Sequence, residues 1–296
     1  MRTQPTTIAS ATQWSRREML RRGLAGAAGG AALLAGFEQL AAAETRPKLR
    51  VGACVVGLDD AKLAGLDGVE LGVGGAADTL QIAEPQTLQQ HKEKMKQTGL
   101  VVSSLMMGVL NGCPLASDPR APAWLEQSIA AAKELGAGVI LVAFFGKGSL
   151  LEGDEVKKAD VGVVVERLKK AAPRAKAAGV VLAIENTLNA RQNADILDRV
   201  GSEAVKVYYD VGNLTGRGYD VPAEIRFLKD RIAMFHFKDG KNYLGEGAVK
   251  FPPIAAAMRD IGYQGWIVLE TSSPSKDKVA DVRRNAEFTR KLFAGG

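Results

Sequence analysis

The sequence predicts an α/β fold, a (β/α)8 TIM barrel in a single domain, and three observations predict it. Setting aside the first 43 residues leaves about 253, a length that suits one large domain with a substantial core. Within them, short β-branched runs alternate with longer amphipathic ones, and eight strands can be counted. No G-x-G-x-x-G follows the first strand. That absence counts against the doubly wound open sheet, the other common arrangement of such units. LGVGGAAD, after the second strand, lacks the spacing and reads as an ordinary loop.

In chain order the strands are LRVGACV, DGVEL, LVVSSLMM, GVILVAFF, VVLAIEN, VKVYYDV, IAMFHFKD and GWIVLET. Between them lie helical patterns such as EPQTLQQHKEKMKQTG, APAWLEQSIAAAKELGA, VGVVVERLKKAAPRAKAAG, AEIRFLKDR and PPIAAAMRDIG, with KVADVRRNAEFTRKLF closing the chain. Several helices run into a glycine just before the next strand, at Gly99, Gly136, Gly179 and Gly262. Such glycines suit left-handed C-terminal caps. Residues 44–296 show no low-complexity stretch and no linker.

Residues 1–43 read as an export signal. WSRREMLRRG sets the twin arginines Arg16 and Arg17 ahead of a weakly apolar core, GLAGAAGGAALLAG, and an Ala-x-Ala site ends at Ala43. The order of these parts describes a secretory signal, and the modest hydrophobicity of the core favours the twin-arginine (Tat) route. The core is too short and too rich in Gly and Ala for a membrane span. The expectations are a Tat export partner, a periplasmic or secreted protein and no stable membrane anchor.

The segment also carries five of the chain's 39 basic residues and two of its 33 acidic ones. The remainder holds 34 and 31, and its net charge is +3 rather than +6. So small an excess gives little support for a nucleic-acid partner. Two cysteines, Cys54 and Cys113, do not make a disulfide framework and read as buried thiols, with a single bridge left open.

Acidic and imidazole side chains recur at the ends of four successive strands. Strand five ends at Glu185, strand six at Asp210, strand seven at His236 and strand eight at Glu270, with separations of 25, 26 and 34 residues. Neighbouring strands of a parallel barrel lie roughly 4.8 Å apart, so four side chains at one level can converge above the barrel mouth. Three converging carboxylates repel one another, and a divalent cation removes that conflict. A carboxylate-rich set with one imidazole and no thiolate favours Mn²⁺, Mg²⁺ or Co²⁺, with Zn²⁺ as the alternative. His236 is therefore read as a metal ligand, although a lone His at a strand end is more commonly a packing residue. The only other histidine, His91, lies in the polar run QQHKEKMK and reads as a solvated surface residue.

At these residues the chain resembles the xylose isomerase-like TIM-barrel superfamily. GLDGVEL, LASDPR, AIENT, YYDVGN, HFKD followed by LGEGAVKF, and GYQGWIVLET carry the likeness, which spans about residues 49–293. The resemblance to its ketose 3-epimerase branch implies that Glu185, Asp210, His236 and Glu270 bind the metal. It also implies that Glu185 and Glu270 act as the acid/base pair on opposite faces of the substrate carbon. The chain departs from that branch at two positions of substrate recognition, where Asn213 replaces a histidine and Asn242 an arginine. Lys238, Asp239 and Glu246, on the loop after strand seven, are substitutes for substrate contact. Glu70 faces either the pocket or a salt bridge within the barrel. Arg191 and Asn186 are weaker candidates, and Phe144 to Gly146 form either a wall for a sugar face or core packing.

The function expected is metal-dependent isomerisation or epimerisation of a sugar or keto-sugar. One carboxylate removes a proton beside a carbonyl, a metal-stabilised enediolate forms, and the proton returns from a different group or to a different carbon. A lyase or hydratase on a 3-keto-sugar, 3-keto-glycoside or inosose would begin with the same step and expel a β-substituent. A non-catalytic sugar-binding barrel would most naturally have lost Glu185 or Glu270. The multi-zinc chemistry of endonuclease IV needs several histidines, and this chain has two. Export disfavours phosphorylated substrates. A homo-oligomer is left open.

Overall fold

The structure, a computed structural model, describes residues 49–294. The expected export signal and its cleavage site lie outside the described residues. Eight parallel strands close into a barrel: β1 Arg50–Ala53, β2 Gly68–Gly72, β3 Val101–Met107, β4 Val139–Ala143, β5 Val181–Glu185, β6 Val205–Asp210, β7 Ile232–Phe237 and β8 Trp266–Leu269. Each pairs with its chain neighbours, and β1 pairs with β8 to complete the ring. Around them run α1 Leu58–Ala64, α2 Pro85–Thr98, α3 Ala121–Leu135, α4 Lys158–Ala178, α5 Ala190–Val200, α6 Val211–Gly216, α7 Val221–Leu228, α8 Phe251–Asp260 and α9 Lys278–Phe293. A small antiparallel hairpin, Leu151–Glu152 with Glu155–Val156, sits between β4 and α4. None of the described helices is long and apolar enough to cross a membrane.

Side chains alternate across each strand, and here both faces are buried, as a parallel barrel requires. Leu182 and Ile184 of β5, Tyr209 of β6, Phe235 and Phe237 of β7 and Ile267 and Leu269 of β8 join the large core shared with the helices. The residues between them form a second cluster inside the barrel, including Leu141, Ala183, Tyr208, Met234, Trp266 and Val268. Continuing that alternation toward the C-terminal ends places Glu185, Asp210, His236 and Glu270 on the inner face. Strand lengths differ slightly from the sequence reading. β7 continues one residue beyond His236, and β8 stops at Leu269, so Glu270 is the first residue of the following loop.

The helix ends follow from local chemistry. Gly99, Gly136 and Gly179 terminate α2, α3 and α4 with φ near +70°, a conformation that costs other residues a clash with their own Cβ. Gly262 takes the same conformation one residue after Ile261, which ends α8. Asn189 and Gln192 form a reciprocal cap at the start of α5. α7 ends at Leu228, and its predicted last residues, Lys229–Arg231, tighten into a 3-10 turn. Cys54 and Cys113 are unbridged and half-buried rather than fully buried, and Cys113 follows a 3-10 turn after β3. His91 is half-buried, not solvated, and burial lowers its pKa.

A candidate metal centre at the mouth of the barrel

Four strand ends deliver one ligating atom each from Glu185, Asp210, His236 and Glu270, and all four atoms lie within 4.8 Å of one another. The register explains the convergence. A bulge between β6 and β7 skips Ala233 of β7, which brings Asp210 level with His236, and His236 is level with Val268 on β8. His236 Nδ1 stands 2.9 Å from Glu185 Oε1, 3.5 Å from Glu270 Oε2 and 3.9 Å from Asp210 Oδ2. Three of the four side chains are sealed from solvent, and Glu270 alone among them is a third exposed, so it marks the open side.

Asp210 shows how one carboxylate serves two purposes. Its Oδ1 accepts the backbone N–H of Asn213 at 2.7 Å and caps the short helix α6. Its Oδ2 makes no well-aligned hydrogen bond, and its charge partners are the Lys238 ammonium at 2.9 Å and the His236 imidazole at 3.9 Å. Lys238 Nζ also reaches Glu270 Oε2 at 2.6 Å. It comes this close because position 212 is glycine: a Cβ there would fall 2.5 Å from Lys238 Cγ and 2.9 Å from its carbonyl oxygen.

The electrostatics are those of crowded acids. Burial, opposed by the charge of His236 and its hydrogen bond, raises the pKa of Glu185 to about 7. Burial raises that of Asp210 too, against Lys238 and His236. For Glu270 burial acts the same way, but His236 and Lys238 outweigh it and hold its pKa below the ordinary value. Desolvation disfavours the charged imidazole of His236, yet Glu70 and Glu185 outweigh it and raise its pKa well above normal. Counting Glu70, four carboxylates surround one imidazole and one ammonium. The donor set is hard, oxygen-rich and short of two positive charges when every acid is ionised and His236 is protonated, and it includes a buried oxygen with no well-aligned hydrogen bond. These residues fit a divalent cation.

A family model, the xylose isomerase-like TIM barrel, matches residues 58–292. The chain belongs to that family. Two relatives within reach of sequence comparison are epimerases. One is the 2-epi-5-epi-valiolone 7-phosphate 2-epimerase of Actinoplanes sp., 27% identical over 63% of this chain and 73% of its own length. The other is an L-ribulose-5-phosphate 3-epimerase of Escherichia coli O8 (strain IAI1), 25% identical over 79% of this chain and 88% of its own. Among solved structures, the 3-keto-D-glucoside 4-epimerase of Escherichia coli superposes with a TM-score of 0.69, covering 83% of this chain and 100% of that one. At 16% identity that likeness shows the fold alone.

The remaining candidates of this xylose isomerase-like chain are placed less evenly. Asn213 lies in the first turn of α6, its N–H on Asp210. Asp239 is buried and accepts three backbone N–H groups: Gly245 and Gly247 on Oδ2 at 3.1 and 2.8 Å, and Val249 on Oδ1 at 3.0 Å. It folds the loop rather than facing the four donors. Asn242 is exposed and donates to the Asp239 carbonyl at 3.3 Å. Glu246 is exposed and pairs with Arg284 of α9. Glu70 is buried inside the barrel, with Oε1 3.0 Å from His236 Nε2. Asn186 bonds Asn193 and the backbone of Leu188. Arg191 lies on α5, its guanidinium over the Phe227 ring, away from the cluster. Phe144 is core, and Phe145 packs against the cluster inside the barrel. Tyr208 is a neighbour the sequence reading missed. Its ring centroid lies 4.5 Å from that of His236, and its place two residues before Asp210 on an alternating strand was the available signal.

Proposed function

We propose that this protein is a metal-dependent sugar isomerase or epimerase that moves a proton on a carbon beside a carbonyl. The observation that carries the reading is the convergence of Glu185, Asp210, His236 and Glu270 at the C-terminal mouth of the barrel, where TIM-barrel enzymes place their chemistry. The epimerase relatives support it. Those four residues would hold the cation. When bound, it supplies positive charge to the carbonyl and neighbouring hydroxyl oxygens of a keto sugar, which makes the adjacent C–H more acidic.

The protein's own part is proton transfer and positioning. A glutamate that gives one oxygen to a cation keeps the other for a proton. Glu185 and Glu270 come from β5 and from the loop after β8, on two sides of the mouth, so one can remove a proton and the other return it. Return to the opposite face of the same carbon gives epimerisation; return to the neighbouring carbon gives isomerisation. Lys238, against both Asp210 and Glu270, keeps Glu270 ionised and offers N–H donors to a substrate oxygen. We take the substrate to be an unphosphorylated sugar met outside the cytoplasm, with residues 1–43 directing Tat export.

Incubation with free ketoses and 3-keto-glucosides in D₂O, followed by NMR, tests the reading. Deuterium incorporation with an intact carbon skeleton and a new stereoisomer is expected, abolished by chelator and restored by Mn²⁺, Mg²⁺ or Co²⁺. An enone or a released aglycone would make the enzyme a lyase instead. Amino-terminal sequencing of the exported form should begin at Glu44.

A further inference from the structure

We propose that Glu70 is a positioning residue that fixes the tautomer and tilt of His236, so that Nδ1 is the nitrogen offered to the cation. The inference rests on the metal-dependent reading above. Glu70 comes from β2 and His236 from β7, strands separated in the ring by β1 and β8, so their contact crosses the barrel interior. Both side chains are fully buried. The Glu70 carboxylate is sealed from solvent and has the imidazole as its ionic partner.

The details favour one arrangement. An ionised carboxylate only accepts hydrogen bonds, so Glu70 Oε1, 3.0 Å from Nε2, requires the proton on Nε2. A neutral imidazole then has a bare lone pair on Nδ1, the atom that faces Glu185, Glu270 and Asp210. Glu70 is itself held. A bulge between β2 and β3 skips Ser103 and sets Glu70 level with Ser104, whose Oγ donates to Glu70 Oε2 at 2.7 Å. The skipped Ser103 ties its hydroxyl to the Val69 carbonyl at 2.9 Å. Each Glu70 oxygen thus has one assigned partner, and the Tyr208 ring tilted against the imidazole limits its rotation. A carboxylate behind a ligating histidine also raises the basicity of the nitrogen facing the metal.

Calorimetric titration of the full chain with Mn²⁺ tests this in wild type, Glu70→Ala and Glu70→Gln. The expected loss of affinity is about 10- to 100-fold for Glu70→Ala. Glu70→Gln should fall between, because its amide oxygen still accepts from Nε2 while the charge is gone. A second readout is independent of affinity. The chain has two histidines, so ¹⁵N-histidine labelling in a His91→Asn background isolates His236, which in the Mg²⁺-loaded protein should carry its proton on Nε2. Wild type that binds Mn²⁺ while both variants bind it equally well would overturn the inference and leave the metal reading standing. So would a proton found on Nδ1, even if Glu70→Ala fails to fold. Wild type that binds none of Mn²⁺, Mg²⁺ or Co²⁺ would overturn both.

Discussion

Two groups of buried acids lie close together along the C-terminal half of the chain, and their surroundings could hardly differ more. Asp239 receives three backbone N–H groups, and Asp281 in α9 receives the Tyr243 hydroxyl, the Ser273 hydroxyl and both the N–H and hydroxyl of Ser275. Burial raises the pKa of Asp281, but those donors outweigh it and bring it down to about 2. At the mouth, Asp210 Oδ2 has no well-aligned hydrogen bond, and the pKa values of Glu185 and Asp210 go up. Burial is common to both groups, so burial does not separate them. The supply of donors does. A carboxylate whose oxygens are all used holds structure together, whereas one left short in a crowd of acids is available for a ligand.

The largest effect that would sharpen this contrast is catalytic. Glu185→Gln should slow proton exchange of a keto sugar about 10³-fold, or ~4 kcal/mol of barrier. It should not lower the thermal midpoint, since it relieves repulsion among the acids. A large loss of stability instead would erase the distinction. Next comes Asp239→Ala, which strands three N–H groups and should cost about 3 kcal/mol of stability, seen as a fall in melting temperature of roughly 6–12 °C.

The third effect is smaller and confined to acid. The Asp281 carboxyl has a lower pKa in the folded chain than the ordinary 3.8. Its contribution is therefore complete above that ordinary value and is lost as pH falls toward about 2. Asp281→Asn should destabilise the protein at neutral pH and flatten the decline between pH 4 and 2 in denaturant titrations. The smallest effect is at the rim: Glu246→Ala, which removes an exposed pair with Arg284, should change stability by less than about 0.5 kcal/mol and leave proton exchange untouched. A marked loss of exchange there would return Glu246 to the list of substrate contacts.

The barrel and the convergence of Glu185, Asp210, His236 and Glu270 were legible in the sequence because both rest on periodicity. Alternation within a strand decides the face, and one strand–helix unit decides the spacing to the next. The part Asp239 plays in the loop after β7 was not legible, for an equally physical reason. Lys238 and Asp239 are adjacent charges in HFKD, but the chain folds back so that the glycines of LGEG can present their N–H groups to Asp239. A Cβ on Gly247 would collide with that carboxylate, and Gly245 takes φ +85°. The pattern HFKD…LGEG is thus one folded unit written in two pieces. For Glu70 the sequence offered a salt bridge within the barrel but not its partner, which lies 166 residues away and across the barrel. The two-residue strands of the hairpin and the six-residue α6 are too short for any period to show.

The closure of β1 onto β8 has a consequence for how this protein can meet other chains. Every strand of the ring is paired on both sides, so the barrel offers no backbone edge on which a further strand could grow. Among the described residues the open edges belong to the hairpin at Leu151–Val156, where Asp154 at its tip is tied to Arg217 at the end of α6. Among the described residues, self-association by strand addition is therefore restricted to that one small ribbon beside the mouth. Other contacts of the described residues would use helix faces and loops, and can form without disturbing the ring that holds the site.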